Sequence, residues 1–182
     1  MLRMLTQRPA LAPADARLLL AESSTDPLAH VAVALSLVAG LRPDEVEDLR
    51  VTDYEPSAPR LTTGAEREPR TIQIAPTARQ ALDAYLAAQK TDSDHFLLPQ
   101  LRRERVMRIV RNTAVSAGVT VGMYALRQAA IRAALEGGAP VEHVHAYFGF
   151  KEKDALPAVE ESPLPEGWDA EIAAVLEEAF VS

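Results

Sequence analysis

The sequence predicts a mainly α-helical protein with a small three-stranded antiparallel sheet near its middle. Two observations indicate this class. Apolar residues recur at helical spacing through most of the chain. Short segments at 51–54 and 70–74 have the composition of strands, and a turn-rich stretch around Gly64 separates them. With 182 residues, 48% of them hydrophobic and 25% charged, the chain has the size and composition of one globular domain.

The predicted helices begin and end at recognisable signals. The first covers residues 13–22 and carries Pro13 in its first turn, where a proline is tolerated. The second begins at Asp26 and is apolar almost all round, which predicts a buried central helix that ends at Gly40. A third begins at Pro43. The remaining predicted helices cover residues 78–89, 101–117, 124–135, 140–147 and 169–180, and in the helix 101–117 the core side chains are Val106, Ile109, Val110 and Val115.

Composition excludes several kinds of chemistry. The chain contains no cysteine, which excludes disulfides, cysteine-zinc sites, iron–sulfur clusters and thiol nucleophiles. The longest uncharged apolar run, residues 31–41, is far shorter than the roughly 20 residues of a membrane span. The N-terminus does not have the pattern of a secretion signal. His143 and His145 project to different faces of a helix, so we expect no metal and no cofactor. We expect a cytoplasmic protein that has no membrane partner.

Charge is distributed unevenly along the chain. The net charge is −7, from 19 basic and 26 acidic residues, which argues against strong non-specific binding to nucleic acid. Residues 100–132 nevertheless carry seven arginines and one acid, whereas residues 133–182 carry two lysines and eleven acids. From residue 102 to residue 111 of the predicted helix 101–117, every third residue is basic. This pattern fits a solvated helix face and also a helix that follows a DNA backbone, and the residues concerned are Arg102, Arg105, Arg108 and Arg111.

Four short motifs follow one another in an order that resembles the catalytic domain of the tyrosine recombinases, the phage integrase family. An apolar helix ends in Gly40-Leu41-Arg42, and the acid Glu45, Leu49 and Asp53 follow, as in the family's first catalytic box. Tyr124-Ala125-Leu126-Arg127 resembles the second box, His-x-Leu-Arg, and Phe148-Gly149-Phe150 resembles Leu-Gly-His. Residues 70–74 resemble the strand after the family's β-hairpin.

The resemblance implies a tyrosine-recombinase (integrase) catalytic-domain-like fold over residues 1–160. Composition and apolar spacing predict that residues 161–182 form an acidic loop and a C-terminal amphipathic helix. In the family, a tyrosine attacks a DNA phosphodiester, two arginines bind the phosphate oxygens, and a lysine and histidines move protons. The forked guanidinium of arginine suits the phosphate because it donates two hydrogen bonds at once.

The same resemblance implies that the catalytic machinery is incomplete. Arg42 and Arg127 match the two phosphate-binding arginines. The family's lysine falls near Gly64, and no lysine lies between residues 50 and 89. No tyrosine follows Tyr147, so the nucleophile position is also substituted. We therefore predict that no residue is catalytic, the substituted positions being Tyr124, Gln128 and Phe150 for histidines of the family and Val159 for its tyrosine.

The leading functional hypothesis is a catalytically inactive integrase-like protein with an accessory or regulatory, DNA-associated role, for example alongside an active recombinase. The predicted DNA contacts are Arg42, Arg127 and the four arginines of the helix 101–117. Binding to duplex DNA is expected to be weak and salt-dependent, because the chain is acidic and the catalytic-domain-like region begins near residue 13, without the family's N-terminal arm.

Three alternatives remain open at this point. Arg42 and Arg127 fit a purely structural role as well, with Arg42 paired to Glu45 or Asp53. The chain fits a protein-interaction module that does not bind DNA, in which the helix 169–180 docks on a second copy; the same helix fits packing on its own domain. The least favoured alternative is a residual DNA strand-transfer enzyme that uses Tyr124 or Tyr147 as the nucleophile.

Overall fold

The computed structural model describes residues 11–64, 69–89, 96–98, 103–150 and 163–182. Within these ranges the chain is mostly helical, as the sequence predicts. A single apolar core runs through the helices and one face of the sheet. In chain order the helices are α1 (Pro13–Ser23), α2 (Pro27–Leu37), α3 (Pro43–Asp48), α4 (Pro76–Ala88), α5 (Arg103–Ser116), α6 (Met123–Glu136), α7 (Val141–Phe148) and α8 (Trp168–Phe180).

Helix α2 lies at the centre, and the prediction of a buried central helix is confirmed. The carboxylate of Asp26 accepts a hydrogen bond from the amide of Leu28 at 3.0 Å and caps the first turn. From Val31 to Leu37 every side chain is buried. This helix contacts α1, α3, α4, α5 and α6, so its largely apolar surface is covered by neighbouring helices.

The sheet has three antiparallel strands in the order β1 (Tyr54–Glu55), β2 (Arg60–Thr63) and β3 (Arg70–Gln73). Leu61 lies between Tyr54 and Ile72 in the register, and all three side chains are buried. The prediction of a strand at 51–54 is only partly right. Residues Val51–Asp53 form a 3₁₀ turn, because the Asp53 carboxylate accepts a hydrogen bond from the Arg50 amide at 2.8 Å, and the strand begins one residue later.

One core prediction in α5 is wrong. Val106 and Val110 are buried, but Val115 is 68% exposed. Nine residues separate Val115 from Val106, and at 100° per residue this places the two side chains on opposite sides of the helix. Ala114 takes the inward position instead.

Helix α8 packs against α1, α6, α7 and β3 of its own chain. Its apolar residues Ile172, Leu176 and Phe180 are buried there. This is the arrangement that the sequence left open as packing on its own domain. In the described part of the chain, no helix combines the length and the apolar character that a membrane crossing requires.

Two acidic side chains attach α8 to the rest of the domain. Asp169 is 2% exposed and accepts hydrogen bonds from the Arg60 guanidinium at 2.9 Å and the Gln73 amide of β3 at 2.8 Å. Glu177 binds the first turn of α4, where its two oxygens accept hydrogen bonds from the amide and the hydroxyl of Thr77 at 3.1 and 2.7 Å. A carboxylate is favourable at this position because the first amides of a helix have no partner within the helix.

Candidate functional site

The turn between α2 and α3 carries Arg42 to the candidate site. Gly40 adopts φ +65°, a left-handed conformation that favours glycine. A Cβ atom at this position would overlap the ring of Phe148, so both the backbone and the available space require glycine. The amide of Arg42 donates a hydrogen bond to Glu45 at 2.8 Å, which closes the first turn of α3 and orients the arginine.

Arg127 lies one turn into α6 and is only 7% exposed. Its Nη1 donates to the carbonyl of Gly40 at 2.6 Å, and its Nη2 donates to the carbonyl of Phe148 at 2.7 Å. Its guanidinium carbon also lies 5.7 and 5.6 Å from the ring centroids of Phe148 and Phe150, within the range of a cation–π contact. Arg127 therefore joins the turn between α2 and α3, here called the first-box turn, to the C-terminal end of α7.

Two further arginines bind the same end of α7. Arg42 Nη2 donates to the carbonyl of Gly149 at 2.6 Å, and Arg70 Nε donates to the carbonyl of Tyr147 at 2.8 Å. With Arg127 on Phe148, three arginines hold three successive carbonyls. The last carbonyls of a helix have no partner within the helix and carry its negative partial charge, which explains the attraction.

Glu45 compensates part of this positive charge. It is 6% exposed, accepts a bidentate ion pair from Arg70, and lies 4.0 Å from Arg42 Nη1. Burial raises the pKa of Glu45. The hydrogen bond and charge of Arg70, together with the Arg42 amide, outweigh burial and leave that pKa below its ordinary value. The three arginines and this carboxylate, here called the arginine cluster (Arg42, Glu45, Arg70 and Arg127), carry two net positive charges.

Arg42 and Arg127, which the resemblance matches to the family's phosphate-binding positions, both bind carbonyls at the C-terminal end of α7. The pairing of Arg42 with Glu45, which the sequence left open, is observed at 4.0 Å. Arg70 was missed as a member of the site. Its place at the start of the strand after the hairpin was visible in the sequence. Its contacts with α7 depend on a separation of 77 residues along the chain, which no local pattern reveals.

Of the positions that the resemblance marks as substituted, Phe150 contacts the arginine cluster, with its ring centroid 5.6 Å from the guanidinium carbon of Arg127. Tyr124 is 41% exposed at the start of α6, and Gln128 is exposed one turn further on. Phe150 is half-buried, with its ring 5.5 Å from the ring of His145. Val159 lies outside the described residues.

Tyr147 has the environment of a core aromatic residue. Its side chain is fully buried, and its hydroxyl donates to the carbonyl of Gln73 at 2.9 Å. Burial, reinforced by the charge of Asp169 and opposed by Arg70, raises the pKa of this phenol above its ordinary value. Both features disfavour the phenolate that nucleophilic attack would require.

The basic face of α5 is exposed. Arg105, Arg108 and Arg111 all reach solvent, while Arg102 lies outside the described residues. A step of three residues turns a helix by 300°, so successive side chains drift by 60°. Arg108 and Arg111 accordingly line a groove beside Tyr124, and Arg105 is not among the residues that line it.

The two histidines of α7 pack against aromatic rings. His143 is buried with its ring 5.8 Å from that of Trp168, and His145 lies against Phe150. Among the residues that the structure describes, no hydrogen-bond partner is found for the buried atoms His143 Nδ1 and His145 Nε2. Over the described ranges, no group of three histidine, cysteine or acidic side chains is arranged to hold a metal ion.

Two solved structures share this architecture. A crystal structure of XerA recombinase superimposes with a TM-score of 0.72 and 19% identity, over 80% of this chain and 57% of that one. The integrase from mycobacterium phage Brujita gives a TM-score of 0.73 and 18% identity, over 96% of this chain and 58% of that one. The chain therefore spans less than three fifths of the length of either protein.

These similarities establish the fold. The chain has the catalytic-domain fold of integrases and recombinases, and the fold class predicted from the sequence is confirmed. No protein-family sequence profile matches the chain, and no curated protein matches its sequence.

Proposed function

We propose that this chain is a catalytically inactive integrase-like protein that associates with duplex DNA in an accessory or regulatory role in the cytoplasm. The observation that carries the inactive part of this proposal is the set of hydrogen bonds made by Arg42 and Arg127. Both guanidinium groups donate to backbone carbonyls at the C-terminal end of α7 or in the first-box turn. They act as structural ties between distant segments.

The substituted side chains support the inactive part of this proposal. Phe150 offers neither a proton donor nor an acceptor where the family has one, and the chain has no tyrosine after Tyr147. Tyr147 itself is buried and hydrogen-bonded in the core. The chain therefore lacks a tyrosine at the place, after Phe148-Gly149-Phe150, where the family's nucleophile forms the covalent DNA intermediate.

The DNA-associated part rests on the exposed arginines of α5. Arg105, Arg108 and Arg111 project from one long helix into solvent, and phosphate contacts require only cations at intervals along a surface. The alternative of a protein-interaction module that docks through residues 169–180 is less favoured, because the apolar side of α8 is buried against its own domain. An active recombinase remains the proposed partner on DNA.

Fluorescence anisotropy of a labelled duplex, titrated at low and near-physiological salt, tests the proposal. The variant carries Ala in place of Arg105, Arg108 and Arg111. A control with Ala in place of Arg17, Arg79 and Arg132 removes the same net charge from exposed sites outside α5. We expect the α5 variant to bind more weakly and to lose about 3 from the slope of log affinity against log salt, since each phosphate contact contributes about 0.9.

An equal loss of DNA affinity in the α5 variant and in the control would show that binding follows net charge alone, and it would overturn the proposed α5 interface. Absence of binding at low salt would overturn the DNA association altogether. The inactive part is tested separately with a nicked suicide substrate. A covalent protein–DNA adduct on a denaturing gel would contradict it.

A further inference from the structure

A groove of about 430 Å³ lies between α5 and the start of α6. It is separate from the arginine cluster, none of whose members lines it. Its walls combine cationic, aromatic and thioether side chains, together with one carboxylate. The residues that matter here are Glu104, Met107, Arg108, Arg111, Met123 and Tyr124.

One wall of the groove suits a flat aromatic group. The ring of Tyr124 is 41% exposed at the start of α6, and Met107 and Met123 line the same cavity. Aromatic rings stack on nucleobases without regard to sequence, and methionine sulfur adapts to aromatic faces. An exposed tyrosine beside two methionines is therefore a platform for a base.

The other wall suits a phosphate. Arg108 and Arg111 are exposed, and neither pairs with an acidic side chain of the described chain in the ion pairs of the structure. The N-cap of α6 is Gly122, which also lines the groove and has no side chain to accept from the first helical amides. Two forked cations beside uncapped helical amides provide several donors for phosphate oxygens.

The order of Glu104, Arg108 and Arg111 along α5 sets the orientation of a nucleotide in the groove. From Glu104 to Arg111 the helix rises by about 10 Å, so these two side chains lie at opposite ends of the α5 wall of the groove. Glu104 lies at the end away from Arg111. A carboxylate there accepts a hydrogen bond from an exocyclic amino group, as carboxylates do from cytosine N4.

We propose that this groove binds one nucleoside monophosphate unit, with the base on Tyr124, the phosphate on Arg108 and Arg111, and a preference for bases that carry an amino group beside Glu104. The unit comes either from a free nucleotide or from an unpaired nucleotide in DNA. The inference shares two arginines with the proposed DNA interface and goes beyond it, because a free nucleotide requires no duplex binding.

Isothermal titration with deoxycytidine monophosphate, thymidine monophosphate and inorganic phosphate tests the groove directly on the full chain. We expect the cytidine nucleotide to bind more tightly than the thymidine nucleotide, and inorganic phosphate to bind most weakly. Tyr124→Ala should weaken nucleotide binding about tenfold, as expected for the loss of one stacked base, while Tyr124→Phe should retain it. Gln128→Ala, exposed one turn further along α6 and outside the groove, is the control.

Glu104→Gln should reduce the preference for cytidine over thymidine without weakening phosphate binding. Equal binding of inorganic phosphate and nucleotide, or full binding by Tyr124→Ala, would overturn the proposal of a base platform. Binding of duplex DNA without any nucleotide binding would overturn this inference and leave the proposed function intact.

A second titration distinguishes the two sources of the nucleotide. A duplex with one unpaired cytidine is compared with its fully paired counterpart in wild type and in Tyr124→Ala. Tighter binding of the unpaired duplex, lost in Tyr124→Ala, assigns the groove to DNA. Nucleotide binding with no discrimination between the duplexes assigns it to a free nucleotide.

Discussion

Replacing Arg127 with methionine removes the guanidinium from the arginine cluster while keeping most of the apolar stem. Two buried hydrogen bonds are lost, to the carbonyls of Gly40 and Phe148 at 2.6 and 2.7 Å. Hydrogen bonds to charged groups contribute about 1.5–3 kcal/mol each. Relief of the buried charge offsets part of that loss. We therefore expect the free energy of unfolding to fall by about 3 kcal/mol.

Urea denaturation, monitored by tryptophan fluorescence, measures this loss of stability with a probe that lies beside α7. Trp168 is the single tryptophan in the sequence, and its ring contacts His143 and Tyr147 of α7. With a slope of about 2 kcal/mol per molar urea, the midpoint should fall by about 1.5 M. Arg108→Met on the exposed face of α5 should change stability by no more than about 0.5 kcal/mol.

Equal midpoints for Arg127→Met and Arg108→Met would refute the reasoning that Arg127 ties α7 to the first-box turn. A partial loss in Arg127→Lys is also expected, because an ammonium group keeps the charge and cannot span both carbonyls with a planar fork.

Three further results are expected. Gly40→Ala should lower the free energy of unfolding, measured by thermal denaturation, by about 1–3 kcal/mol more than Gly138→Ala does. Both glycines have positive φ, but of the two only Gly40 has an aromatic ring where the added Cβ would lie. Equal losses of stability in the two variants would contradict this. The lowered pKa of Glu45 means that its contribution to stability is complete above about pH 4.5 and is lost as pH falls through the native value. The denaturation midpoints of wild type and Glu45→Gln should therefore converge in acid. A constant difference between them down to pH 2 would exclude a stabilising contribution from the ionised Glu45 carboxylate. Asp169→Asn should leave the positive charge of Arg60 unpaired and speed amide hydrogen exchange in α8; unchanged exchange there would show that this carboxylate does not hold the helix.

Local sequence signals were sufficient for the elements and their order. Hydrophobic periodicity and the positions of proline and glycine located the helices to within a few residues, because these signals act within one or two turns. The same signals misplaced Val115, where an apolar residue at a plausible spacing lies on the outer face. They also missed the exact start of β1, where the side chain of Asp53 binds the backbone and produces a 3₁₀ turn.

The sequence by itself determined the motif order, the substituted positions and the basic character of α5. Only the tertiary structure decided what Arg42 and Arg127 bind, because their partners lie 107 and 87 residues away along the chain at Gly149 and Gly40. A guanidinium in a sequence is equally suited to a phosphate, a carboxylate or the carbonyl end of a helix. Which of these it meets depends on how α2, α6 and α7 pack together. In this protein the packing brings the carbonyls of Phe148 and Gly149, at the C-terminal end of α7, within hydrogen-bond distance of these two arginines.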